Sequence, residues 1–248
     1  KNPIFIIRLP GVFGKWCKPN YNSVVATFCF NISRNKSIRI DNKEEKLYLV
    51  YIDDVVRKII EVISSGKESF INQNISPQYE IKLGDLVEKI KSFKEIEKSN
   101  IIPETGSGLT RALYSTYISY LPEDQFSYNL ENHKDSRGIF SEIIKTKDYG
   151  QFSFFTINIG FKRGCHYHHT KTEKFLIVSG SVKFTFYNLL TKNKLEINSD
   201  SENNQIINSI PGWYHDIENI GDSKAIVFLW TNEIFDSKNP DTISYKLD

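Results

Sequence analysis

Three of the chain's five histidines and a glutamate fall within eight residues, in the stretch GFKRGCHYHHTKTEKFLIVSG from Gly160 to Gly180. In a strand, side chains alternate between faces, so His166 and His168 point one way and Tyr167 the other. A turn through residues 169–172 then brings Glu173 back beside the two imidazoles and leaves His169 in the turn. Two imidazoles and a carboxylate suit a borderline divalent metal such as zinc, which asks for a further ligand. His215, in the strand-like PGWYHDIEN, supplies it. The other readings are a catalytic base with a helper, or a polar turn of ordinary hydrogen-bonded histidines. The convergence of four such residues on strand-like texture favours the metal set His166, His168, Glu173 and His215.

A second cluster lies upstream in HKDSRGIFSE, which carries Asp135, Arg137, Gly138, Phe140 and Glu142. Phe140 and Glu142 share a strand face, and Arg137 stands at the strand's start. An aromatic ring to stack on a base, a carboxylate to accept from its N–H and a guanidinium for a diphosphate suit a nucleotide sugar. A hairpin turn with a core Phe and a solvated Glu accounts for the same residues equally well.

Two textures must position these residues. Residues 1–110 read as alternating strand and helix. PIFIIRLP is the continuous apolar run of a buried parallel strand, NSVVATFCFNIS has an apolar face at helical spacing, and KLYLVYI is a strand. Asp53 or Asp54 then caps DVVRKIIEVISSG, whose Val55, Val56, Ile59, Ile60 and Ile63 form one face and which Gly66 ends. KLGDLVEKIKSF is a further amphipathic helix, and the boundary falls in IIPETGSGLT. From Leu113 onwards short alternating segments, YSTYISYL among them, are separated by Gly, Asn, Asp and Lys. They predict an all-β barrel or sandwich over 111–248, with a solvated hairpin turn near 198–204.

The totals narrow the function classes. The 248 residues, 40% hydrophobic and 25% charged with a net charge of +2, are those of a globular chain with no run long enough to span a bilayer. No basic stripe with interleaved aromatics appears, which argues against nucleic acid. Cys17, Cys29 and Cys165 are odd in number and scattered, so a reducing, cytoplasmic setting is expected. The chain has no methionine and opens on an apolar strand-like run. We therefore read it as part of a longer protein, with methionines omitted from the sequence, so that spacings across a gap run short by one.

The motifs also carry family resemblances. Gly160, His166, His168, Glu173 and Gly180 match the first cupin motif, G-x5-H-x-H-x4-E-x6-G. Pro211, His215 and Asn219 meet the second, P-x-G-x2-H-x3-N, except that PGWYH is one residue short. The stretch from Asp135 to Glu142 resembles the D-x-R-G-x-F-x-E element of the deoxysugar-nucleotide 3,5-epimerases, themselves cupins. RGCHY resembles their R-G-x-H-Y, which implies that His166 is the proton-abstracting base if it is not a metal ligand. RLPGVFGKWCKPNYNSVVATF followed by LVYIDDVV resembles the C-terminal half of extended short-chain dehydrogenases, which implies that Arg8, Lys15, Asn20, Tyr21 and Asn22 line a sugar-nucleotide pocket. Residues 1–110 contain neither G-x-x-G-x-x-G after a first strand nor Tyr-x-x-x-Lys, so hydride transfer is incomplete in them.

Together these stretches resemble the bifunctional capsular polysaccharide and O-antigen enzymes that fuse such a dehydrogenase to a metal cupin. The expected fold is thus α/β, a partial Rossmann-type domain over 1–110, followed by an all-β cupin barrel over 111–248. The resemblance implies C3 epimerisation of a UDP-4-keto-6-deoxy-N-acetylhexosamine by the cupin, and C4 reduction with NADPH by the dehydrogenase part of the full-length protein, toward UDP-N-acetyl-L-fucosamine. It also implies a zinc cofactor and a homodimer, with LYSTYISYL a candidate arm for subunit exchange. Two alternatives remain, a non-catalytic metal cupin serving as a binding or scaffold module and a metal-dependent cupin oxygenase.

Overall fold

The structure, a computed structural model, describes residues 4–66, 70–73 and 75–247. Its contacts divide the chain into two compact units, 1–99 with 103–128, and 100–102 with 129–248. Pro3 of the expected first strand lies outside the described residues.

The first unit mixes short strands with helices. In chain order these are β1 (Phe5–Ile7), β2 (Gly11–Phe13), α1 (Val24–Ser33), β3 (Lys46–Tyr51), α2 (Ile52–Ser64), β4 (Phe70–Gln73), β5 (Tyr79–Lys82), α3 (Leu83–Lys94) and α4 (Ile96–Ser99). β6 (Ile101–Ile102) belongs to the second unit, and α5 (Gly108–Ile118) returns to the first. β1 pairs in parallel with β4, as the apolar run predicts, yet Ile4 and Ile6 are exposed. β2, β3 and β5 form a separate mixed sheet. α1 begins where the Ser23 hydroxyl accepts from the Ala26 N–H at 3.3 Å. Its Val25, Phe28, Cys29 and Ile32 are buried, as are Leu86, Val87, Ile90 and Phe93 of the neighbouring α3.

Two expectations for this unit need correction. YSTYISYL is not strand-like but lies largely in α5, because Ala112, Leu113, Thr116 and Tyr117 recur at helical spacing and bury one side beside α1 and α3. The second correction concerns α2. Neither Asp53 nor Asp54 caps it; Tyr51 holds the cap position without a side-chain bond, and both acids sit inside the first turn, at the positive end of the helix. Of its five expected core residues only Val55 is buried, and Ile63 is 72% exposed.

The second unit is all β. After β6 come β7 (His133–Asp135), β8 (Gly138–Thr146), β9 (Gln151–Ile157), β10 (Lys162–Tyr167), β11 (Glu173–Ser179), β12 (Ser181–Asn188), β13 (Lys194–Asp200), β14 (Ile206–Asn208), β15 (Trp213–Asn219), β16 (Ala225–Thr231) and β17 (Ile243–Ser244). One sheet has the order β13-β12-β15-β10-β17, the other β14-β11-β16-β9-β8-β6 with β7 on β8. They pack as two jelly-roll-like sheets rather than as a closed barrel ladder. Phe155, Phe175, Ile177, Phe184, Phe186, Ile217 and Val227 fill the space between them. The chain passes from β11 in one sheet to β12 in the other at Gly180, whose φ is +83° and where a Cβ would meet the Ala225 Cα at 2.9 Å. The expected turn near 198–204 begins later, since Asn198 and Ser199 still belong to β13.

Candidate metal centre and adjoining cavity

β10 carries His166, the turn after it carries His168, β11 opens with Glu173, and β15 carries His215. One ligand atom from each of these four residues lies within 4.8 Å of the others. His168 and His215 present Nε2 to Glu173 Oε2 at 3.2 and 3.0 Å. His166 stands with its ring centroid 4.7 Å from those of both other histidines. His168, Glu173 and His215 are buried, yet the facing atoms His166 Nε2, His168 Nε2 and Glu173 Oε2 lack a hydrogen-bond partner. Close polar atoms without hydrogen-bond geometry, three imidazoles and one carboxylate, are the donor set that a borderline divalent cation takes.

Electrostatics agree with that chemistry. Burial, with His215 adding to it, lowers the His166 pKa to about 3, so this imidazole is neutral at physiological pH. Burial alone would raise Glu173, but the contacts with His168, His215 and Lys171 outweigh it and keep the carboxylate ionised. The Lys171 ammonium lies 3.6 Å from Glu173 Oε1 and is nearly buried.

Local backbone aims these groups. β10 follows β15 regularly through Lys162, Arg163 and Gly164, then carries a bulge at Cys165 before His166 pairs with His215. Gly164 and Cys165 have φ values of +85° and +62°, and a Cβ on Gly164 would press on the His215 carbonyl at 2.9 Å. PGWYH is one residue short of the second cupin motif, but the chain turns at Gly212 and still delivers His215. Asn219 of that motif is a corner residue, its amide donating to the Ile157 and Ser223 carbonyls.

His166, Glu173 and His215 of this cluster lie on the wall of a cavity of about 890 Å³. Asp135, Arg137, Phe140 and Glu142 line the same cavity. Arg137 donates through Nε and Nη2 to Asp135 Oδ2 at 3.0 and 2.6 Å, and Arg163 Nη2 reaches Asp135 Oδ1 at 3.4 Å. The Arg137 contact holds the Asp135 carboxyl below its usual range. Glu142, expected to await a base N–H, is bonded to Lys145 Nζ at 2.6 Å. Sequence reasoning passed over Arg163, Lys171 and Phe235 as wall residues. The first two were visible as cations beside the histidines, whereas Phe235 comes from a loop with no motif.

The five residues assigned to the first unit's pocket share its β2–α1 region only in part. Lys15, Asn20, Tyr21 and Asn22 occupy the β2–α1 loop, and Arg8 follows β1. Lys15 pairs with Asp53 at 2.5 Å, Asn20 takes a bond from Asn31 at 3.4 Å, and Tyr21 lies under the Lys18 ammonium. Arg8, Asn20, Tyr21 and Asn22 are exposed.

Comparison with known proteins places this geometry. Residues 133–243 match the family described as Polysaccharide biosynthesis C-terminal domain. Over 240 residues the chain is 52% identical to a UDP-2-acetamido-2,6-beta-L-arabino-hexul-4-ose reductase of Pseudomonas aeruginosa, covering 97% of this chain and 64% of that relative. The crystal structure of CapF with the inhibitor 3-isopropenyl-tropolone superposes with a TM-score of 0.93 at 38% identity, over 98% of this chain and 72% of that one. The chain belongs to the CapF family. A crystal structure of the capsular polysaccharide assembling protein CapF from Staphylococcus aureus gives the same TM-score of 0.93 at 38% identity, with 66% of that chain covered. The CapF likeness thus runs through both units, while the chain spans about two thirds of its curated relative's length. No helix among the described residues is long and apolar enough to cross a membrane.

Proposed function

We propose that this chain is the cupin-bearing part of a nucleotide-sugar enzyme of polysaccharide biosynthesis, and that its second unit epimerises C3 of a UDP-linked 4-keto-6-deoxy-N-acetylhexosamine. The observation that carries this reading is the shared cavity. The histidine–glutamate cluster and the Arg137–Asp135–Arg163 network open onto one space large enough for a sugar and part of its diphosphate. The domain assignment that goes with it is a dehydrogenase portion over 1–110 and a metal cupin over 111–248, a boundary that falls inside α5, which packs with the first unit.

In this reading His166, His168, Glu173 and His215 hold zinc. When bound, the metal supplies Lewis acidity toward the 4-keto oxygen, which makes the C3 proton easier to remove. The chain's own side chains bind and orient the substrate around it. Arg137 and Arg163 neutralise the diphosphate, with Asp135 fixing both guanidiniums. Phe140 offers its ring to the base. Phe155, Phe175 and Leu229 line the same space and exclude water from the sugar. Burial keeps His166 neutral and so available to the metal. Arg8, Lys15, Asn20, Tyr21 and Asn22 are proposed to hold the sugar nucleotide for reduction at C4. Residues 1–110 contain no phosphate-cradling glycine turn, so they do not fit NADPH, whose binding is proposed for the full-length protein. A homodimer and a cytoplasmic setting accompany the reading.

Incubation with a 4-keto UDP-sugar in heavy water tests it. Deuterium entering at C3 in the metal-loaded protein supports the epimerase, and its absence leaves a binding module. Bound iron in place of zinc, with oxygen consumption, would favour an oxygenase instead.

A further inference from the structure

We infer that Asp241 is a positioning residue of the metal centre, acting on the ligands from the opposite side of the turn that carries them. The inference rests on the metal reading above. Asp241 comes from the segment before β17 and touches none of the facing ligand atoms. Its carboxylate accepts from the backbone N–H groups of His169, Thr170 and Lys171 at 2.8, 2.6 and 2.8 Å, and from the Thr170 hydroxyl at 2.9 Å. Three successive amides pointing at one spot form an anion-binding nest, filled here by the chain's own side chain. Its backbone carbonyl lies 2.5 Å from His168 Nδ1. Accepting from Nδ1–H fixes the tautomer in which Nε2 carries the lone pair, and Nε2 is the atom that faces Glu173.

The contact continues along the chain. β17 pairs Ile243 with Tyr167 and Ser244 with His166, and the Tyr245 N–H donates to the Cys165 carbonyl at 3.0 Å. Every residue from Cys165 to Lys171 is therefore tied to the short stretch 241–245. The turn closed by Asp241 separates His168 from Glu173, so its width sets the distance between two ligands. Without the carboxylate, three amide donors lose their partner and the turn is free to widen.

The test is metal affinity of the purified chain, measured with Co2+ by competition against a chelator and read together with the Co2+ absorption spectrum. Asp241→Ala is expected to weaken binding by about 10–100-fold and to alter the spectrum, the usual cost of losing a ligand's outer support. Asp241→Asn, which keeps one acceptor oxygen, should recover part of both. Asp236→Ala, an exposed change in the same tail, should alter neither. Wild-type affinity and spectrum in folded Asp241→Ala protein would overturn the assignment. If that variant does not fold, wild-type values for Asp241→Asn overturn it instead. Wild-type protein that takes up no Co2+ would remove the metal reading itself, a separate outcome.

Discussion

His166 and His215 meet across the β10–β15 pairing as direct register partners, with ring centroids 4.7 Å apart and planes at 83°. Strand pairing alone thus brings together two residues 49 positions apart in the sequence (215 − 166). The turn after β10 needs only to add His168 and Glu173.

His168→Ala should empty the centre and stop exchange at C3 together. Metal per chain, measured by mass spectrometry of the desalted protein, and deuterium uptake check the two effects. Exchange that persists in metal-free protein would make His166 the base.

Phe140→Ala should leave metal content unchanged while weakening UDP binding by about 1–3 kcal/mol, the usual worth of a base stacked on an aromatic ring. Calorimetric titration with UDP gives the number. An unchanged affinity would return Phe140 to the role of a core ring.

Gly164→Ala places a methyl group against the His215 carbonyl at a positive φ. The expected cost is about 1–3 kcal/mol of stability, with weakened metal retention because β10 must move off the strand that carries His215. Denaturant titration, with and without metal, separates the two losses.

Alkaline pH should destabilise the first unit. Burial raises the Tyr117 and Tyr120 hydroxyls to about 12, from the 10 they share with an unfolded chain. Between those values the folded state keeps protons that the unfolded state has lost, so stability is intact below pH 10 and falls as pH rises toward 12. Thermal melts across that range should show the loss, and Tyr117→Phe should reduce it.

The second unit was largely legible in sequence because its signals are local. His166 and His168 alternate as a strand requires, and their partners lie at motif spacing. The first unit was harder. α5 escaped notice because Tyr114, Tyr117, Ile118 and Tyr120 suit a strand by residue type, and only burial beside α1 and α3 decides for helix. The apolar face of α2 was visible, but which of its residues a neighbour covers is not written in the helix. Asp241 had no legible signal at all, since an aspartate in a loop acquires its role only when folding sets it opposite the turn at 169–171. The bulge at Cys165 was equally silent, because nothing in RGCHY marks the extra residue.

That irregularity imposes a parity rule on the pocket. Arg163 and His166 are an odd number of positions apart, and in an uninterrupted strand they would point to opposite faces. Both reach the same cavity because one residue between them does not count toward the alternation. Shortening the stretch by one is harmless to orientation only if the kink disappears with the lost residue. A substitution that straightens β10 without shortening it would instead turn Arg163 and His166 to opposite faces, with both side chains still present.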